Sequence, residues 1–161
     1  MENFVQAIEG SAVNEWIMGS YWAWPAMEVM HFIGLSLLLG ALLVIDLRLA
    51  GFFRKINIAA THKLSPWAFA GFGINLTTGI LFVIGDPFRY TANIGFWWKM
   101  GLLGVAGLNA LWFWWKINPV MQSWEPHADT PALAKVIAWV SLGSWFGVLI
   151  LGRLIPYIGT G

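Results

Sequence analysis

The sequence predicts an all-α integral membrane protein: an antiparallel bundle of four transmembrane helices preceded by a short N-terminal interfacial helix. Three observations predict it. Of the 161 residues, 58% are hydrophobic and 11% charged, against roughly 25% charged in soluble domains. Four apolar stretches each reach the ~20 residues needed to cross a ~30 Å hydrocarbon layer. Tryptophan, present 12 times, gathers near the ends of those stretches, where indole rings settle at the membrane boundary. No long linker or low-complexity tract interrupts the chain, so residues 1–161 read as one membrane domain.

Residues 1–22 form the interfacial segment. Phe4, Val5, Ile8, Val13, Trp16 and Ile17 fall at loosely helical spacing among acids, Ser and Gly, and Trp16, Tyr21, Trp22 and Trp24 suit headgroup level. Glu2, Glu9 and Glu15, with no Lys or Arg among them, are wrong for the n-region of a secretory signal. The first span is therefore expected to act as the insertion signal and to stay in place.

Span 1 covers about residues 25–45, with Pro25 in its first turn, where a missing N–H costs nothing. Span 2, residues 66–85, places Asn75, Thr77 and Thr78 toward other helices, while Gly71 and Gly73 permit close backbone approach. A short turn at 88–93 leads to span 3, residues 94–115, where Gly101, Gly104 and Gly107 form a smooth ridge for a helix or a flat ligand. Span 4, residues 131–156, has Asp129 or Thr130 as its expected N-cap and a Gly143/Gly147 pair as a weak signal for close contact.

The 1–2 and 3–4 connections with their adjoining helix ends carry Arg48, Arg54, Lys55, Lys63, Lys116 and Lys135, and the other side carries Arg89, Lys99 and Arg153. The positive-inside rule then puts both termini outside a bacterial inner membrane. On that topology Glu28, His31, Thr78, Lys99 and Arg153 lie at comparable depths near the outer surface, with Glu28 one helical turn from His31.

Ionisable groups in a span are costly and suggest function. His31 is a candidate axial haem ligand or copper ligand, with Glu28 a second candidate metal ligand. Lys99 and Arg153 would neutralise haem propionates, or Lys99 would itself ligate. Without a cofactor the same groups form an ion-pair network, Glu28 with Arg153 or Lys99 and His31 bonded to one of them. Met27 and Met30 suggest copper, but they cannot both share a face with His31 and Glu28. His62 and His127 lie on the inner side, and Asp46 and Arg48 read as structural. The chain has no cysteine, which excludes disulfides, thiolate metal sites and iron–sulfur clusters, and a net charge of +1 offers no nucleic-acid footprint. No residue stands out as catalytic.

The series Trp24-Pro25, Glu28-x-x-His31-x-x-Gly34, Asp46-Leu47-Arg48, Pro66-Trp67, Thr78-Gly79, Phe96-x-x-Lys99, Asn109 and Gly152-Arg153 resembles a functionally unassigned bacterial family of small four-span proteins. That family is distantly similar to copper-resistance protein D (CopD) membrane domains and to HemJ-type protoporphyrinogen oxidases. The resemblance implies a first-span functional histidine, and in the HemJ type a first-span His and third-span Lys are associated with b-type haem; His31 and Lys99 hold those positions. Asp46-Leu47-Arg48 departs from the HemJ pattern after span 1. The expected function is a b-type haem-binding redox or electron-transfer protein using His31, Lys99, Arg153 and Thr78. The alternatives are a copper-binding or copper-transfer protein using His31 and Glu28, and a non-catalytic structural or assembly subunit of a larger membrane complex; the expected partners are the lipid bilayer and either further copies of the chain in a homo-oligomer or a larger membrane complex.

Overall fold

The computed structural model describes residues 2–158 except Gln122, Pro126 and Ala128, together with the side chains from Val5 onward. The expectation that Phe4 anchors the interfacial helix, and part of the loop before span 4, lie outside the described side chains and residues. All regular elements among the described residues are helical.

The N-terminal segment, expected as one interfacial helix, is two short helices, α1 (Glu2–Ile8) and α2 (Ala12–Gly19), because Gly10 at φ 82° breaks the chain and Ser11 caps α2 by accepting from the Asn14 amide. Next come α3 (Ala23–Leu49), the single turn α4 (Ile58–Thr61) and α5 (Ser65–Gly85). The turn expected at 88–93 is largely the helix α6 (Pro87–Thr91). Then follow α7 (Ile94–Trp112), a π-helical turn (Phe113–Ile117), α8 (Asn118–Met121) and α9 (Ala132–Leu154).

Among the described residues, three segments are long and apolar enough to cross a membrane: Ala23–Leu49, Ile58–Gly85 and Ala132–Leu154. Their outward faces carry Phe32, Ile33, Phe69, Ile80, Val136 and Ile150 exposed. An apolar surface that extensive suits a lipid bilayer rather than water.

The long helices pack as two antiparallel pairs. In the first, α3 lies against α5, with Gly34 beside Gly71, His31 beside Thr78 and Trp24 beside Phe82. In the second, α7 lies against α9, with Leu102 beside Gly147 and Asn109 donating to the Ile137 carbonyl at 3.0 Å. The pairs join where α3 meets α9, through a buried cluster that includes Ile45, Leu49, Ala134, Ile137 and Ala138.

The tightest backbone-to-backbone approach is at Gly71. A Cβ there would lie 2.5 Å from both the Gly34 carbonyl oxygen and the Leu38 nitrogen, so the backbones themselves touch. Gly73 has open space instead, as do Gly101, Gly104, Gly107 and Gly143, so the α7 ridge has no covering helix among the described residues. Of the Gly143/Gly147 pair, only Gly147 makes a close approach.

Side chains close the ends of the helices. Asn93 caps α7 by accepting from the Gly95 amide at 2.8 Å, and its Nδ2 donates to the Ile155 carbonyl at 2.8 Å and to that of Ile158. Asn14 Nδ2 donates to the Ile84 carbonyl at 2.7 Å, and Thr130 donates to that of Leu49 at 2.6 Å. The expected Asp129 or Thr130 cap of α9 is not formed, because Pro131 occupies the cap position. Asp129 instead accepts from the Thr130 amide at 2.9 Å and pairs with Lys135 at 2.9 Å and Arg54 at 3.1 Å, tying the α3–α4 turn to the start of α9.

Gly71→Ala is expected to destabilise the protein by about 1–3 kcal/mol through overpacking, whereas Gly104→Ala, in open helix, should raise stability by up to about 1 kcal/mol. Thermal unfolding in detergent distinguishes the two. The Asp129 carboxyl is held below the ordinary aspartate value of 3.8, first by the Lys135 hydrogen bond and then by the Thr130 amide and Arg54. Its contribution is complete above that value and is lost as pH falls through the lowered one. The acid side of a melting-temperature profile should therefore flatten in Asp129→Asn.

Candidate functional site

The candidate site grows from the α3–α5 contact. Placed so that both of its polar atoms are satisfied, the Asn75 side chain donates to the His31 carbonyl at 2.7 Å and accepts from the Leu35 amide at 3.0 Å. His31 and Leu35 are the two ends of one i to i+4 helical step, so a single amide on α5 grips the α3 backbone at His31. Thr78 lies three residues beyond Asn75, on the same side of α5, and this grip brings its hydroxyl to the His31 ring.

Thr78 is buried, and its Oγ1 donates to the Ile74 carbonyl at 2.8 Å. A hydroxyl has one proton and two acceptor sites. At 2.7 Å, Oγ1 therefore accepts from His31 Nδ1–H. The neutral ring then carries its proton on Nδ1 and presents a bare lone pair on Nε2. Phe82 packs against the half-buried ring with centroids 5.5 Å apart, which holds its orientation.

Lys99 reaches the same region from α7. Its Nζ lies over Gly152, where a Cβ would come within 3.3 Å of it, and its charge acts on His31. No carboxylate pairs with Lys99 among the described residues. The structure thus gathers His31, Thr78 and Lys99, carried by three different helices, with Gly152 of α9 making room.

Glu28 and Arg153 turn elsewhere. Glu28 is exposed and its Oε1 accepts from Trp24 Nε1 at 3.1 Å, one turn back on its own helix. Its charge also reaches Tyr90 on α6, whose hydroxyl is raised above its ordinary value, first by burial and then by Asp86 and Glu28, with Arg89 opposing. Arg153 is exposed and lies over the Tyr157 ring, 5.4 Å from its centroid. The alternative network of ion pairs among Glu28, His31, Lys99 and Arg153 is not formed among the described residues.

Met27 and Met30 both line an open groove of about 510 Å³ between α2, α3 and α5, together with Thr77 and Thr78. No group of three or more His, Asp or Glu side chains able to hold a metal ion occurs among the described residues. His127 is exposed and donates from Nδ1 to the Arg54 carbonyl at 3.0 Å, while His62 packs on Trp114.

Two features escape the sequence pattern. Asn75 signals a helix contact from its residue type, but not its grip on the His31 turn. Asp46, read as structural, is 4% exposed and faces Ser141 of α9; Ser141 and Ser144, one turn apart in an apolar span, were the available signal.

Fold and surface define the class: an all-helical protein whose apolar helices suit a lipid bilayer. No family model, curated protein or solved structure matches the chain.

Thr78→Val should remove the bond to His31 and cost about 0.5–1.5 kcal/mol. In ¹⁵N NMR of labelled histidine, wild-type His31 should show a protonated Nδ1 and a bare Nε2, and the variant should lose that tautomer preference.

Proposed function

We propose that this is a membrane-embedded redox or electron-transfer protein that holds a b-type haem, with His31 as axial ligand. One contact carries the reading: the Thr78 hydroxyl, which donates to the Ile74 carbonyl, is placed to accept from His31 Nδ1–H, an arrangement that keeps the ring proton on Nδ1 and leaves Nε2 bare. Metal-ligating histidines are oriented in this way, by a partner on the other ring nitrogen. The donor set fits the group. Nε2 would supply an imidazole ligand, and the amine of Lys99, which has no ion pair among the described residues, would supply a second ligand or a partner for a propionate. A bound haem would supply one-electron exchange at its iron.

The chain's own residues do the rest. Thr78 and Phe82 fix the ring, Asn75 fixes the helical turn that carries it, and Gly152 leaves room for Lys99. In this reading Arg153 and Glu28, both exposed, face the aqueous edge and compensate charge there. On the same reading α7 also crosses the membrane, as span 3 of a four-span antiparallel bundle in a bacterial inner membrane. Both termini lie outside, consistent with the excess of Lys and Arg in the α3–α5 and α7–α9 connections.

Copper binding is the second reading, favoured by Met27 and Met30 lining the groove floored by Thr78, whose hydroxyl holds His31. Protein purified in detergent from cells supplied with haem and copper should show a Soret band and a pyridine haemochrome, both lost in His31→Ala. Absence of both from the wild type would sink the haem reading. Copper that falls in His31→Ala would establish the second, and absence of both cofactors with fixed co-purifying partners would leave a structural or assembly subunit.

A further inference from the structure

Asp46 is 4% exposed within the long apolar helix α3, one turn before its end. Its carboxyl meets the hydroxyl of Ser141 on α9, and its second oxygen, Oδ2, has no hydrogen-bond partner among the described residues. The flanking side chains, Ile45 and Leu49 on α3 and Ile137 and Ala138 on α9, are buried and apolar. An ionised carboxylate needs donors or a cation for each oxygen when it is taken from water, and this one has a single neutral partner.

Among the described residues, no ion pair to Asp46 fills the gap. On α5, residues 65–85 include no charged side chain. On α9, Lys135 is engaged by Asp129. On the turn before α5, His62 packs on Trp114 and Lys63 is exposed. On α3 itself, Arg48 donates from Nε to the Ile56 carbonyl at 2.8 Å, and a residue two positions away diverges on a helix.

We propose that Asp46, backed by Ser141, is a proton-binding site, with the proton held on Oδ2 and exchanged with water at the end of the molecule that carries the α3–α5 and α7–α9 connections. The exchange moves no electrons: Oδ2 takes a proton from hydronium, an O–H bond forms on the carboxyl, and one in hydronium breaks. A proton suits the site better than a metal ion, because one carboxyl and one hydroxyl supply too few oxygens for a hard cation. Ser144, buried one turn from Ser141 on the same side of α9, extends the polar edge. The site does not depend on haem, and its residues are remote from His31.

Infrared spectroscopy of the full chain in detergent tests this directly. Wild-type protein at neutral pH should show a carboxylic-acid C=O band that shifts in D₂O and disappears on alkaline titration. Asp46→Asn should abolish the band, and Ser141→Ala should shift its frequency. The chain contains only three aspartates, Asp46, Asp86 and Asp129. If Asp46→Asn does not fold, carbon-13 labelling of aspartate in otherwise wild-type protein must still move the band, while Asp86→Asn and Asp129→Asn leave it unchanged. No such band at neutral pH, a band that persists in Asp46→Asn, or a band that sodium removes at constant pH would each overturn the proposal.

Discussion

The crossing of α3 and α5 is the constraint on which the site depends. Gly34 and Gly71 bring the two backbones into contact, and a methyl group at Gly71 would enter the space of the opposing carbonyl and amide. That closeness lets the short Asn75 side chain reach the backbone of another helix at both ends of a helical step. With the register fixed there, Thr78 falls at His31 without further adjustment. A lateral shift of one helix would unmake the amide grip and the histidine bond together. Small residues allow the approach and polar ones lock it, which is how helices associate where lipid offers no hydrophobic driving force between them.

A second set of polar side chains deals with the helix ends. Terminal carbonyls and amides have no partners within their own helix. Asn14 serves the end of α5, Thr130 the end of α3, and Asn93 both the start of α7 and the end of α9. Each is remote in sequence from at least one group it satisfies, so a single side chain both caps a helix and fixes tertiary position. Arg54, Asp129 and Lys135 add a solvent-exposed ion-pair network, and exposed pairs contribute little individually.

Much of the fold is legible because bilayer thickness dictates span length. The ranges 25–45, 66–85 and 131–156 fall within a few residues of Ala23–Leu49, Ser65–Gly85 and Ala132–Leu154. The α7 helix is present, but Lys99, Asn109 and its glycines and tryptophans dilute its apolar character, and it is not among the three segments long and apolar enough to span. Composition cannot say which glycine meets a neighbour. Gly71 does and Gly73 does not, since that depends on the helix rotation fixed by Asn75. Depth alone grouped Glu28 and Arg153 with His31. Near a helix end, however, a long side chain can turn outward, and both do, toward Trp24 and Tyr157. Asp46 beside Arg48 looked like an ordinary charged terminus, and only the α3–α9 contact buries it.

The packing order of the long helices, α5 on α3, α3 on α9 and α9 on α7, bears on how the chain is built during synthesis. Each antiparallel pair is contiguous in sequence, and its main contacts are internal. The first pair can therefore be complete, with its histidine already held by threonine, before the second has emerged from the ribosome. Lys99 and then Gly152 arrive later, on the two helices of the second pair. The molecule is thus two unlike hairpins within one polypeptide, joined where α9 packs onto α3.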